Sequence, residues 1–385
     1  MTNALETAAN IKGPWRICRI SSEFPPPWKG LAPGPYELSL AQARRGNELL
    51  VLARERGDTV AFDRSLPFKI IRIAASRDAI FSLKAGLLAR RLHQRHPFHV
   101  IHAHGFSAIG PAMLRHLRLL SVPVAAHVHI VRAKQARQGL SASRISLWQE
   151  RIYLNGADFL LTVSDQLASE SRLLAPQTHA INVGNGANIK LFQVSTKRKT
   201  NGELRLLFVG TLNGRKGEDV ILSACQQLGT ESLPWRITVV GDGPRYEVFQ
   251  EKVKGAGLSK KVRVLRYVDY NKMPDLYQWA DVFLFPSFSE GMPKAVLEAM
   301  ACGCAVILSD IPGCRELVAE GRNGFLIPPD RPDLLAEAVQ RFFKDPGLIQ
   351  RMGQASRSII EQRYTWDAVA KRVEECYQLY IKFTK

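Results

Sequence analysis

The sequence predicts an α/β protein built from two doubly wound parallel-sheet domains that face a central cleft. Three observations carry this reading. The chain has 385 residues, more than one compact core usually holds. Short apolar runs alternate with longer segments of helical periodicity. That alternation breaks at a polar stretch, 195–203 (STKRKTNGE), and then restarts.

In the first half the strand-like runs are 16–21 (RICRIS), 48–53 (ELLVLA), 99–104 (HVIHAH), 124–129 (VAAHVH) and 158–164 (DFLLTVS). Continuous apolar runs suit strands buried on both faces, as in parallel sheets. Between them, 78–95 (DAIFSLKAGLLARRLHQR) sets leucines and basic residues at helical spacing, and a second basic helix is expected at 112–120. After the polar stretch come 204–210 (LRLLFVG), 235–241 (WRITVVG), 262–268 (VRVLRYV), 281–287 (DVFLFPS) and 305–310 (AVILSD). The domains are therefore expected at 1–194 and 204–364, with 195–203 as linker. A last helix, about 365–385, repeats Trp366, Val369, Val373, Tyr377 and Tyr380 at helical spacing and is expected to cross back to the first domain.

Composition narrows the function classes. Hydrophobic residues make up 46% and aromatics 8%, which suits a folded globular chain. No run approaches the ~18 uncharged apolar residues of a membrane-spanning helix. The N-terminus lacks a secretory pattern, so a cytoplasmic location is expected. The six cysteines show no zinc or redox spacing and read as reduced, buried thiols. Net charge is +18, and residues 1–190 carry 25 Lys+Arg against 12 Asp+Glu. Such a domain attracts polyanions such as nucleic acid, anionic headgroups or phosphorylated substrates.

The second domain holds the ligand-binding signals. In 208–217 (FVGTLNGRKG) a strand ends at Gly210, a short loop follows, and Arg215, Lys216 and Gly217 lead into a helix. Such a loop lets backbone N–H groups approach a phosphate, and adjacent cations suit a diphosphate. The stretch VVGDGP (239–244) reads only as a turn. In 287–304 (SFSEGMPKAVLEAMACGC) a buried strand leads to a tight loop, then to a helix with Pro293 in its first turn and Gly303 as its stop. The helix start favours an anion and faces the cleft at the carboxyl ends of the strands. Glu290 and Glu298 lie at the two ends of this apolar segment. Ligand hydroxyls or a basic neighbour are equally good partners for Glu298.

The stretch S-x-S-E-G-x-P-x-x-x-L-E-A-M-A-x-G resembles the E-x-seven-E signature of the retaining, GT-B-fold glycosyltransferases of family 4. The blocks FVGTLNGRKG, VVGDGP, ADVFLFPSFSEG, GCAVILSD and GRNGFLIPPD agree in order and spacing. So do VGNGANIKLF (183–192) at the family's hinge and HVIHAHG, VPVAAHVH and GADFLLTVS in the first domain. The resemblance implies two Rossmann-like domains and a nucleotide diphosphate sugar as donor substrate, with no cofactor. It implies that Arg215 and Lys216 hold the diphosphate and that Glu298 takes the ribose hydroxyls. Glu290 then holds sugar hydroxyls with the backbone of Gly291, Met292, Pro293 and Lys294. Gly34, Gly210, Thr211, Tyr267 and Val296 complete the donor site. His127 matches the family's histidine near the transferred sugar and is grouped with Glu290, Arg215 and Lys216 as catalytic. There are departures. Thr211 replaces an arginine, Asn188 the hinge aspartate and Tyr267 a glycine, while Gly30 and Gly34 are separated where the family pairs glycines in a loop, here 30–35.

His102, His104 and His129 lie near His127 in sequence pattern. The H-A-H and H-V-H spacings set each pair on one strand face and raise a metal site. No third-ligand pattern and no Asp-x-Asp occur, so no metal is assigned. The implied reaction is retaining, metal-independent transfer of a hexose-type sugar to a hydroxyl of a glycan or lipid-linked acceptor. Cell-surface polysaccharide or lipopolysaccharide synthesis in a bacterium is the expected setting. The acceptor is assigned to the basic first domain, which is also expected to meet an anionic membrane surface peripherally. Helices 78–95 and 112–120 and the apolar Phe81, Leu87 and Leu88 are the expected contacts. A sugar-nucleotide epimerase of the same fold is the rival enzyme. A basic nucleic-acid-binding protein is the rival from another class, with no motif to support it, and no nucleic acid is expected as partner.

Overall fold

A computed structural model describes residues 14–28, 32–131, 144–195, 202–229 and 233–381. The chain divides into two compact units, residues 1–185 with 366–385, and residues 186–365. Of the expected linker, 196–201 lie outside the described residues.

The first unit is built on a seven-stranded sheet. Its strands are β1 (Arg16–Ser21), β2 (Glu48–Arg54), β3 (Lys69–Ile73), β4 (Val100–His104), β5 (Val124–Val128), β6 (Phe159–Thr162) and β7 (His179–Asn182). They lie in the order β3-β2-β1-β4-β5-β6-β7, and every pairing is parallel. The second unit holds a six-stranded parallel sheet in the order β10-β9-β8-β11-β12-β13. Its strands are β8 (Leu204–Val209), β9 (Trp235–Val240), β10 (Val262–Leu265), β11 (Val282–Phe285), β12 (Ala305–Ser309) and β13 (Gly324–Ile327). Both orders are doubly wound, as the sequence predicts. Each of the ten apolar runs yields one strand at the expected place. The strands that it did not signal are β3, β7 and β13. β3 and β7 are sheet edges with half-exposed residues, so they lack a continuous apolar run.

The last helix, Trp366–Ile381, packs into the core of the first unit. Its Trp366, Val369, Val373 and Tyr377 are buried with Trp15, Phe24 and Phe159. The Tyr377 ring meets Trp15 edge-on at 5.4 Å between centroids. All six cysteines are free and buried, in line with the sequence reading.

Two expectations on the basic helices need correction. The helix Asp78–Arg95 forms at the expected bounds, but Phe81 is fully buried on its inner stripe. Leu88 is half-buried, and the outward apolar residues are Ile80, Leu83 and Leu87. The helix expected at 112–120 is Ile109–His116. It stops there because Arg118 adopts φ 57, a left-handed conformation that ends α-helical hydrogen bonding.

Each sheet carries the same joint. In the second unit the Asp281 carboxylate is buried before β11 and accepts from Arg205 N at 3.0 Å, Nε at 3.1 Å and Nη2 at 2.8 Å, tying β8 to β11. In the first, Asp158 accepts from Arg115 Nη2 at 2.8 Å and from Val124 N at 2.8 Å, tying the start of β6 to β5. Asp281→Ala leaves Arg205 largely buried and unpaired, and is expected to destabilise the second unit by about 3 kcal/mol in denaturant unfolding.

Candidate functional site

In the second unit the direction of winding reverses between β8 and β11. Ligands of doubly wound sheets bind at this switch point, beyond the carboxyl ends of the strands. The loops there are 210–217 after β8 and 286–293 after β11. They are stitched together. Phe288 N donates to the Arg215 carbonyl at 2.9 Å, and Ser287 Oγ lies 3.2 Å from the same oxygen. Gly217 has φ 81, and a Cβ there would fall 2.0 Å from the Pro286 carbonyl oxygen, so only glycine lets the loops meet.

This stitching brings Lys216 and Glu290 together. Lys216 Nζ donates to Glu290 Oε1 at 2.5 Å, and Ser287 Oγ donates to the same oxygen at 2.7 Å. The two charged side chains are only 16% and 10% exposed. Lys216 Nζ also stands 5.4 Å from the centre of the Phe285 ring. Arg215 is half-buried, and its Nε has no hydrogen-bond partner among the described residues. The sequence placed both cations at a phosphate; the structure adds that Lys216 already has a carboxylate at hand.

The helix after the loop is Lys294–Ala301, with Pro293 as its N-cap residue rather than within its first turn. Gly303, at φ 73, follows its end as expected of a stop. Val296, Leu297, Met300 and Met292 are buried, and this explains the apolar run between the glutamates. Glu298 is held by the Tyr277 hydroxyl, which donates to Oε2 at 2.9 Å. Tyr277 itself is fully buried, and burial, with Glu298 beside it, pushes its ionisation well above the usual phenol value. Gly291 and Lys294 are half-buried beside this helix start. A Cβ on Gly313 would lie 2.3 Å from the Gly291 carbonyl oxygen and 2.5 Å from that of Glu290. Gly313 therefore supports the loop from beneath.

Gly210 closes β8 and Thr211 is exposed beside it. Tyr267 lies after β10 and is 49% exposed. Asn188, in place of the expected aspartate, does the same local work: its Oδ1 accepts from Lys190 N and Leu191 N, each at 3.1 Å. Gly34 requires a correction. The loop expected over 30–35 has its Gly30 outside the described residues, and Pro33, Gly34 and Pro35 form the buried first turn of the helix Pro33–Arg44. Of the four amide positions that a helix start leaves unpaired, two are prolines and carry no N–H.

In the first unit the switch point lies between β1 and β4. Here the histidines gather. His104 ends β4, and His127 faces it across the β4–β5 register. The rings stack: His102 on His104 at 4.7 Å, His104 on His127 at 5.0 Å, His127 on His129 at 4.6 Å. His102 Nε2 lies 3.1 Å from His127 Nδ1, and His104 Nδ1 lies 3.0 Å from His129 Nε2. A buried guanidinium, Arg19, donates from Nη1 to His104 Nε2 at 2.9 Å and from Nη2 to Gln42 Oε1. Tyr377 of the last helix meets His102 Nδ1 at 2.5 Å.

The sheet thus supplies the third imidazole that the sequence did not signal: nitrogens of His102, His104 and His127 lie within 4.8 Å of one another. The arrangement does not suit a cation. Stacked, near-parallel rings do not converge their lone pairs on one point about 2.1 Å away. Their nitrogens bond instead to one another, to Tyr377 and to Arg19, whose charge opposes a metal ion. Beside the cluster a cavity of about 120 Å³ opens, lined by Ser21, Glu23, Asp78, His104, Glu150 and Tyr153 among others. The sequence missed Arg19, Gln42, Ser287, Tyr277 and Gly313. Each acts through a partner distant in the chain.

Burial, then the neighbouring positive groups, holds His102, His104 and His127 well below the ordinary value of 6.5. All three are neutral in the folded chain, while the unfolded chain protonates them as pH falls through 6.5. Below 6.5 the unfolded state therefore binds more protons, and stability is lost; above 6.5 it is fully retained. Each histidine adds up to about 1.4 kcal/mol per pH unit to this slope. Thermal unfolding between pH 7.5 and 5 is expected to show a falling midpoint, with a shallower slope in His104→Gln.

A family model described as Glycosyl transferases group 1 matches residues 191–359, and one described as Glycosyltransferase Family 4 matches residues 28–184. The chain is 25% identical over 390 residues to a glycogen synthase of Mycobacterium tuberculosis, covering 94% of each. Among solved structures it is similar to the sucrose-phosphate synthase of Thermosynechococcus elongatus, with a TM-score of 0.81 and 22% identity over 96% of this chain and 100% of that one. It is also similar to Anabaena HepE in complex with UDP-glucose, with a TM-score of 0.75 and 19% identity over 94% and 99%. With two family models covering most of its length and with its two doubly wound sheets, the chain belongs to glycosyltransferase family 4 and is a glycosyltransferase of the GT-B fold.

Proposed function

We propose that the chain moves a hexose-type sugar from a nucleotide diphosphate sugar to a hydroxyl of a glycan or lipid-linked acceptor, with retention and without a metal. The observation that carries the reading is the Lys216–Glu290 pair at the switch point of the second unit. In this reading the diphosphate draws Lys216 and Arg215 to its oxygens, and Glu290, released from Lys216, accepts from sugar hydroxyls. The backbone of Gly291, Met292 and Lys294 assists it, beside Pro293. Glu298, oriented by Tyr277, takes the ribose hydroxyls. Gly210 and Thr211 adjoin the phosphates, Val296 packs beneath the sugar, and Tyr267 lies toward the base. His127 serves the transferred sugar.

The bond from the anomeric carbon to the diphosphate oxygen breaks, and the acceptor oxygen bonds on the same face. The departing diphosphate takes the acceptor's proton, so no protein base is needed. Arg215 and Lys216 stabilise the charge that develops on the leaving group. The UDP-glucose named for the Anabaena structure supports a nucleotide sugar as donor. The family match supports transfer over epimerisation.

The acceptor is assigned to the basic first unit, at the inner face of a bacterial membrane, for cell-surface polysaccharide or lipopolysaccharide synthesis. No helix among the described residues is long and apolar enough to cross a membrane. Attachment is instead peripheral. Support comes from the helix 78–95, which exposes Ile80, Leu83 and Leu87 beside Lys84 and Arg91. The helix Arg144–Gly156 adds Ile145 and Trp148, 68% and 64% exposed, between Arg144 and Arg151. The helix 109–116 packs against both, so the three lie side by side. Apolar side chains among basic ones suit an anionic interface.

Glu290→Gln and Lys216→Ala are each expected to lower turnover about 10²–10³-fold with unfolding unchanged, the usual scale for losing one charge-stabilising group. Full activity in either variant overturns that residue's role. Co-sedimentation with phosphatidylglycerol vesicles at low salt is expected, with loss at high salt and weakening in Trp148→Ser. Absence of binding at low salt overturns the membrane assignment.

A further inference from the structure

His127 is 3% exposed, and its Nε2 has no hydrogen-bond partner among the described residues. Whether that atom carries a proton decides whether it gives or accepts a hydrogen bond. Its other nitrogen, Nδ1, faces His102 Nε2, and His102 Nδ1 faces the Tyr377 hydroxyl. The state of His127 is therefore set two groups away.

The chain of bonds can be followed from its charged end. Arg19 is fully buried, and burial lowers its ionisation to about 10, which still leaves it charged near neutrality. A guanidinium has donors only. Its positive charge acts on the nearby Tyr377 hydroxyl and favours the orientation that turns the oxygen toward the cation and the proton away from it, to His102 Nδ1. With Nδ1 accepting, neutral His102 bears its proton on Nε2 and donates to His127 Nδ1. His127 is then left with the proton on Nε2. The other branch runs the same way: Arg19 donates to His104 Nε2, so His104 donates from Nδ1 to His129 Nε2. One buried cation orders both branches.

We propose that Tyr377 and Arg19 are positioning residues that lock His102 and His127 into one tautomer, so that His127 presents an Nε2–H donor to an acceptor oxygen. A sugar hydroxyl or ring oxygen of the transferred unit is the fitting acceptor, and this part rests on the transferase reading above. The opposite tautomer offers a lone pair, against which a buried hydroxyl must turn its own proton. The lock comes from the last helix, which returns to the first unit and packs Tyr377 among Trp15 and Phe159.

The tautomer is read directly from long-range 1H–15N imidazole spectra of the full chain, with His127→Gln assigning its signals. In the wild type His127 is expected to show a protonated Nε2 and a bare Nδ1 at pH 7.5. Tyr377→Phe keeps the ring in the core and removes the donor, and is expected to shift His127 toward the Nδ1–H form. Turnover of donor and acceptor is expected to fall about tenfold in Tyr377→Phe, chiefly in kcat. In a His127→Ala background the same substitution is expected to change kcat by less than about twofold, because the effect travels through His127. A bare Nε2 in the wild type overturns the proposal whether or not the variant folds. So does an unchanged His127 tautomer in Tyr377→Phe, or an equal loss of kcat in the His127→Ala background. If the donor or reaction class is wrong, activity fails while the spectra still report the tautomer, so the two failures are distinct.

Discussion

The constraint on which the rest depends is the reversal of winding in each sheet. Parallel strands need crossover connections, and these are right-handed. When the chain leaves a central strand in one direction and later returns to the strand on its other side, the flanking helices lie on opposite faces. The loops beyond those two strands then part and leave a crevice. In the second unit these loops follow β8 and β11 and bring Lys216 beside Glu290, residues 74 apart in sequence. In the first they follow β1 and β4, and His104 ends one of those strands. Asp281 and Asp158 tie neighbouring strands at the opposite end of each sheet, so the chemistry-bearing loops extend from a rigid base.

The two units meet the problem of charge at low exposure in different ways. The second pairs it: Lys216 with Glu290, and Glu290 also with Ser287. In the proposed reading a ligand that draws Lys216 to its phosphates offers its hydroxyls to Glu290 in return. The first unit buries Arg19 and spreads its donors over His104 and Gln42. Four imidazoles then stack behind it, and three of them are held neutral by burial and by that same cation. In that reading the Lys216–Glu290 pair yields to a ligand, whereas the histidine cluster is ordered before any ligand arrives.

Much of this was legible in the sequence. Continuous apolar runs marked the inner strands because a strand buried on both faces has no polar position to interrupt it. The edge strands β3 and β7 escaped notice because solvent on one side relaxes that requirement. The E-x-seven-E stretch revealed its loop and helix because Pro293 and Gly303 punctuate it. The 33–35 part of the expected loop misled, since a proline and glycine cluster reads as a loop, while Pro33 is well suited to open a helix. Phe81 misled for a different reason. It belongs to a helix with two apolar stripes, and only packing against the helix 109–116 decides which is buried.

By itself the sequence determined the two α/β sheets, the order of their inner strands along the chain, and the charged residues at the loops of the second. Those properties follow from local periodicity and from residue type. The tertiary structure alone decided that Lys216 meets Glu290, that Tyr277 holds Glu298, and that Tyr377 reaches His102 across 275 residues. These contacts depend on strand order and on where the last helix packs, and neither leaves a periodic trace in the sequence around the residues concerned.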